Sequence, residues 1–301
     1  TGEIAHKLTS CASYSAVLDK MENHLTVSGN PQGTQKPYLR ALRDLMESVK
    51  SIPEDMSADQ IKAHLSSMKG NISSSALNLR VCGIKYYFRK VVKRPDLAVD
   101  IPNPRVAKYV QEVLSEWEIS QLFDACQSMR ELALLHLLYD SGLRSREVCQ
   151  LKLTDFDGLN RQFTVRNGKG QKLRTLPYSE DLKKTLTAYC KSLPAYPLIY
   201  LFENRDKPGT AITIRGVQYI VKEVLKRSKL KREVHPHTYR HCFAIHYINN
   251  GGNLLRLQQL MGHENIETTL HYLKFCSITL ADTMTPLAKL LERKRQGQLK
   301  P

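Results

Sequence analysis

The chain has 301 residues, long enough for two domains with cores of their own, and 42% hydrophobic against 25% charged residues is the composition of a soluble globular protein. The 45 Lys and Arg against 29 Asp and Glu leave a net +16, which favours a polyanionic partner, nucleic acid first and an anionic membrane second. The longest apolar run, near Leu132 to Leu138, is broken by His136 and too short for a bilayer, and no apolar signal segment opens the chain, so no membrane association is expected.

Seven cysteines, an odd number without Cys-x-x-Cys spacing, fit a reduced compartment, and a cytoplasmic protein is expected. The opening Thr1-Gly2 lacks a methionine, which suggests a trimmed start with residues missing upstream.

Four helices are predicted first, over about 9–27, 35–50, 57–68 and 73–93. Leu39, Leu42, Leu45, Met46 and Val49 keep helical spacing, as do Leu77, Val81, Ile84, Tyr87 and Phe88. Ser57 followed by Gln60 has the pattern of a capping box. The last of these helices carries Arg80, Lys85, Arg89, Lys90, Lys93 and Arg94, which makes it a candidate polyanion contact. Pro95, Pro102 and Pro104 then interrupt any helix and favour an extended linker. The expected division is a small helical unit over 1–100, a linker over 101–110 and a larger unit over 111–301.

In the larger unit, Ser115-Glu116-Trp117-Glu118 reads as a helix start leading to about 127, followed by helices over about 130–140 and 145–150. Strand signals follow at Gln162 to Val165, Lys172 to Pro177 and Ile199 to Phe202. The first two flank Asn167-Gly168-Lys169-Gly170, a turn that tolerates positive φ, so a β-hairpin with Lys169 at its tip is predicted. Helices over about 213–228, 237–249 and 253–261 come next, the last capped by Asn253. Beyond them, Leu280, Met284, Leu287 and Leu291 form an apolar stripe interrupted by Pro286. The net charge is +4 over residues 1–104 and +12 over 105–301, so both units are basic.

The chemistry concentrates in the last quarter. His237 and Arg240 sit three apart, so on a helix they share one face and can meet one phosphate together. Gly262-His263 and Tyr272 follow. Upstream, Ser141-Gly142-Leu143-Arg144-Ser145-Arg146-Glu147 supplies a second guanidinium in Arg144, and Lys169 an ammonium. A guanidinium is a planar fork matched to phosphate oxygens and stays charged at any working pH. These are the groups that transfer a phosphodiester onto a tyrosine.

The four segments, 141–147, 167–176, 237–247 and 260–272, resemble in order and spacing the tyrosine site-specific recombinases of the phage-integrase family. Tyr239 and Met261 stand where that family usually has leucine, at positions that pack. The resemblance implies a mainly α protein: a small helical core-binding domain plus a mostly helical catalytic domain with a small antiparallel β-sheet and a C-terminal helical tail. It implies site-specific cleavage and rejoining of double-stranded DNA, by integration, excision or another outcome tied to a mobile genetic element. The intermediate would be a 3′-phosphotyrosyl link, formed within a DNA-bound homotetramer whose tails are exchanged between protomers.

By the same resemblance Arg144 and Arg240 hold the phosphate, Tyr272 attacks, His237 takes its proton and Lys169 protonates the leaving 5′ oxygen. His263 bonds the phosphate or assists that transfer, and Glu147 orients cationic groups. Arg80, Lys85, Arg89, Lys90, Lys93, Arg146, Lys172 and Arg174 are the expected DNA contacts. His235, His241, His246 and His271 read as packing, supporting or surface residues. The histidine cluster lacks a matching cysteine or carboxylate set, and the chain has no phosphate-binding glycine loop, so neither metal nor cofactor is expected. Two rival readings share this fold: an enzyme like a type IB topoisomerase and a DNA-binding regulator that does not cut.

Overall fold

A computed structural model describes residues 2–99, 101–104, 113–166 and 173–276 and positions 287, 290 and 295, with side chains from residue 14 onward. The predicted hairpin tip with Lys169, Lys172 and most of the C-terminal stripe lie outside the described residues. The chain is mainly helical and divides into two compact units, 1–110 and 111–301.

Among its described residues the first unit's regular elements are helices. Its elements are α1 (Gly2–Val27), α2 (Gln32–Val49), α3 (Ala58–Ser67), α4 (Ser74–Tyr86) and α5 (Asp96–Val99). The capping box at α3 is formed: Gln60 N–H donates to Ser57 Oγ at 3.3 Å, and Ser57 N–H to Gln60 Oε1 at 2.9 Å. Met21, Leu25, Leu42, Leu45, Met46, Ile61, Val81 and Ile84 close the core between α1, α2, α3 and α4.

Two features differ from the sequence reading. The helix predicted to run to residue 93 changes pitch at Tyr87, where Tyr87–Val91 forms a π turn. Tyr87 is fully buried and donates from its hydroxyl to Glu54 Oε1 at 2.6 Å, which fixes the turn. Asp96–Val99 and Ile101 are also not an extended linker. Pro95 opens the short α5, and Leu97, Ala98 and Ile101 are buried in this unit's core, an apolar gain that the proline pattern alone hides.

The second unit holds α6 (Glu116–Asp124), α7 (Met129–Ser141), α8 (Ser145–Gln150), α9 (Glu180–Lys191), α10 (Ile214–Ser228), α11 (Pro236–Asn249), α12 (Leu254–Met261) and α13 (Ile266–Leu270). A 3₁₀ turn, His271–Phe275, follows α13. Ser115 and Asn253 cap their helices as the sequence suggests. One antiparallel sheet runs β1 (Phe156–Asp157), β2 (Gln162–Arg166), β3 (Leu173–Pro177) in that order. Phe163 pairs with Leu176 and Val165 with Arg174, and Phe163, Val165 and Leu176 face the core with Leu134, Leu138, Val148 and Tyr239.

Residues 199–202 make no strand. Tyr200 forms a single bridge with Lys152, because the Glu203 carboxylate gathers the N–H groups of Leu198, Ile199 and Tyr200 and turns the chain away. Helix α9 is absent from the sequence reading, yet Ser179 caps it and Leu182, Leu186 and Tyr189 are buried at helical spacing.

Candidate active site

The site is assembled where α7 ends, α8 begins, and α11, β3, α12 and the 3₁₀ turn converge. Helix α7 stops at Gly142, whose φ of +59° is left-handed and whose N–H donates to Leu138 O at 3.1 Å. A Cβ at this glycine would run into the Phe243 ring. Two residues on, Arg144 caps α8: its backbone N–H donates to Glu147 Oε2 at 2.8 Å and its Nη1 to Glu147 Oε1 at 3.1 Å. The Arg144 side chain is half exposed, which leaves the rest of its guanidinium open to an incoming anion.

Glu147 is buried beneath it and takes both arms of a second fork. Arg174 donates from Nη1 and Nη2 at 2.9 and 2.8 Å, and from Nε to Leu260 O at 2.9 Å. Burial by itself pushes the Glu147 carboxyl up, but the bonds from Arg174 and Arg144 outweigh it and hold it below the ordinary carboxylate value. Arg174 therefore ties the hairpin to the Arg144 segment and to the chain entering Gly262-His263.

Arg240, on α11, is 1% exposed. Its Nη1 donates to Gly142 O and its Nη2 to Met261 O, both at 2.6 Å, and Nη2 also lies 3.0 Å from His263 Nε2. Burial, then Arg144 nearby, lowers its pKa to about 10, so the guanidinium stays charged at neutral pH. His263 is held from the other side by Thr269 Oγ1, 2.9 Å from Nδ1.

Tyr272 sits in the 3₁₀ turn, 4% exposed, with its ring parallel to His263 at 6.2 Å and tilted on His241 at 5.3 Å. His241 in turn packs edge-on against His237 at 4.5 Å. Burial pushes the phenol up, while Arg240 and Arg144 pull it back. All three imidazoles are held neutral. His237 is lowered by its surroundings, then by Arg240 and Arg144; His241 and His263 are each lowered to about 4, by burial first and by cationic neighbours including Arg240. A groove of about 1360 Å³ opens over Arg144, Arg174, Arg256, His263 and Thr268.

Arg144, Glu147, His237, Arg240, His263 and Tyr272 are thus brought together, and Lys169 lies outside the described residues. Among the expected DNA contacts, Arg89, Lys90, Lys93 and Arg146 are exposed. Lys85 donates to Asn103 Oδ1 at 2.7 Å, Arg80 is ion-paired with Asp44, and Arg174 spends its fork on Glu147 rather than facing solvent. The sequence reading missed Arg174 and Thr269 as parts of the site and gave His241 no specific place in it. Among the described residues, no group of three or more His, Cys, Asp or Glu could hold a metal, and no helix is long and apolar enough to cross a membrane.

The buried Arg240 guanidinium, the half-exposed Arg144 above buried Glu147, and Tyr272 against His241 and His263 thus converge on one site. Residues 112–275 match the model of the phage integrase family, and residues 17–96 that of the phage integrase N-terminal SAM-like domain. The chain is 30% identical over 278 residues to tyrosine recombinase XerA of Pyrococcus horikoshii, covering 92% of this chain and 95% of the relative. It is 34% identical over 182 residues to tyrosine recombinase XerC of Staphylococcus carnosus, 58% of this chain and 60% of that protein.

Its fold is similar to the Tn1549 transposon integrase in complex with circular intermediate DNA, with a TM-score of 0.71 and 21% identity over 93% of this chain and 99% of that one. It is also similar to a lambda integrase tetramer bound to a Holliday junction, with a TM-score of 0.70 and 18% identity over 83% and 77%. The chain belongs to the phage integrase family and is a tyrosine recombinase.

Proposed function

We propose that this recombinase cleaves and rejoins double-stranded DNA at specific sites through a 3′-phosphotyrosyl intermediate, as a homotetramer assembled on DNA and in the service of a mobile element. The cytoplasm is its proposed location. The observation that carries the reading is Tyr272 lying against His241 and His263 beside the Arg240 and Arg144 guanidiniums. A phosphodiester resists attack because it is anionic and its alkoxide leaves poorly, so cations must neutralise the first and an acid must protonate the second.

Arg240, preorganised by two carbonyls and a histidine, and Arg144, open to solvent, stabilise the charge that builds on the non-bridging oxygens. Preorganised donors cost no reorganisation when the charge develops. Tyr272 attacks phosphorus, and its proton leaves to a neutral imidazole, His237 being the proposed base. Lys169 protonates the departing 5′ oxygen. Arg89, Lys90, Lys93 and Arg146 supply exposed charge for the DNA backbone. Because the tyrosyl ester keeps the energy of the broken bond, rejoining requires no nucleotide hydrolysis.

The test is a suicide substrate carrying the element's end sequences. Wild type forms a denaturation-resistant protein–DNA adduct, and Tyr272→Phe binds the same DNA but forms none. An adduct with Tyr272→Phe overturns the nucleophile. Relaxed circles without exchanged strands favour the topoisomerase reading, and binding without any wild-type adduct favours the regulator.

A further inference from the structure

The polar contacts around His263 leave one arrangement of its protons. Nε2 lies 3.0 Å from Arg240 Nη2. A guanidinium has five N–H donors and no acceptor, so the histidine nitrogen facing it must offer a lone pair. In a neutral imidazole the proton is then on Nδ1, which lies 2.9 Å from Thr269 Oγ1. Thr269 is 0% exposed, and its oxygen, 2.9 Å from Nδ1, is the acceptor for this N–H.

We propose that Thr269 is a positioning residue that fixes His263 as its Nδ1–H tautomer, with the Nε2 lone pair turned to Arg240 and the phosphate site. A phosphate that takes over the Arg240 Nη2 donor then leaves a lone pair on Nε2, which cannot donate to the anionic oxygen until the ring takes up a proton. For its catalytic consequence the inference rests on the function proposed above; the tautomer stands without it. The charged and titratable groups facing His263 are Arg240, Arg144, Arg174, Glu147, His241 and Tyr272, and the guanidiniums oppose a second proton on the ring. In the sequence the pairing is the register His263 to Thr269, six residues apart, directly after Gly262.

The experiment is nitrogen-15 NMR of the histidines in the full chain without DNA at neutral pH, with His263 assigned by its loss in His263→Gln. Adduct formation is then measured against pH. Wild type should show Nδ1 protonated and Nε2 bare. Thr269→Val, which keeps the shape and removes the acceptor, should lose that preference. It should also slow adduct formation about 10- to 100-fold, the range for losing an outer hydrogen bond that orients a histidine, with a displaced acid limb of the pH profile.

Thr269→Ser should restore both readouts. A wild-type ring protonated on Nε2 overturns the proposal, as does a Thr269→Val protein with wild-type tautomer and rate, or a Thr269→Ser protein as impaired as Thr269→Val. If Thr269→Val fails to fold, the wild-type tautomer and the Thr269→Ser profile still decide. Absence of any wild-type adduct would count against the proposed function, and the tautomer measurement would still judge the role of Thr269.

Discussion

Glu147 receives Arg174 as a fork on a fork, Nη1 on Oε1 at 2.9 Å and Nη2 on Oε2 at 2.8 Å, and the same carboxylate caps the helix that Arg144 begins. One buried anion therefore sets the position of two guanidiniums from segments that are distant in the chain. Removing one partner of a buried pair strands the other charge, so Arg174→Ala should lower stability by about 3 to 5 kcal/mol. Arg174→Lys, a point donor without a fork, should recover only part of it. Urea denaturation of the full chain checks this, and a midpoint unchanged in Arg174→Ala would mean that Glu147 is satisfied by Arg144 alone.

The same pair gives a pH dependence. The folded Glu147 carboxyl lies below its ordinary value of 4.5, so the unfolded chain binds the proton first as the pH falls. The contribution is complete above about pH 4.5 and is lost as the pH drops through the depressed folded value. Wild type and Glu147→Gln should therefore differ in urea midpoint at pH 7 and converge on acidification.

Much of this was legible in the sequence, and the exceptions have physical causes. The helices with capping signals, Ser57, Ser115 and Asn253, were found, because a cap and an apolar period are both local. The structure buries Arg174 against Glu147, whereas its charge makes it an expected DNA contact in the sequence. The signal against that was present: in Leu173-Arg174-Thr175-Leu176 the pleat puts Arg174 on the face of buried Leu176. Helix α9 carries its own local signals, the Ser179 cap and the apolar spacing of Leu182, Leu186 and Tyr189. The π turn at Tyr87 and the burial of Leu97 and Ile101 depend on Glu54 and on packing across the unit, which no local pattern contains.

Gly142 performs two tasks that a side chain would spoil. Its left-handed φ lets α7 stop, its carbonyl receives Arg240, and the space above its Cα belongs to Phe243. Gly142→Ala should cost about 1 to 2 kcal/mol for the backbone and about 1 to 3 more for overpacking against the ring. The double variant Gly142→Ala with Phe243→Leu should regain the overpacking part and not the backbone part. If the double variant is no more stable than the single one in urea, the ring is not the obstacle.

His241 and His263 each titrate near 4 in the folded chain against an ordinary 6.5. Below pH 6.5 the unfolded chain takes up protons that the folded rings still refuse, so this stabilisation is complete above 6.5 and declines as the pH falls toward 4. The urea midpoint of wild type should therefore drop between pH 7 and pH 5. His241→Phe keeps a ring against Tyr272 and cannot titrate, so its midpoint should fall less over that interval. Equal falls in both proteins would assign the acid sensitivity to other groups.

Lys169 has the most separable role in the proposed chemistry, since it gives a proton to the leaving 5′ oxygen while the arginines hold the phosphate. Lys169→Ala should lose cleavage by about 10² to 10⁴, the range for general acid catalysis, with DNA affinity little changed. A substrate with a 5′-bridging sulfur leaves without that proton and should restore cleavage in Lys169→Ala. It should restore Arg144→Ala much less, because the missing guanidinium there stabilises charge on the non-bridging oxygens, which the sulfur does not touch. Rates of adduct formation on paired oxygen and sulfur substrates make the comparison. Equal rescue of both variants, or of neither, would show that the lysine and the arginine do not divide the labour this way.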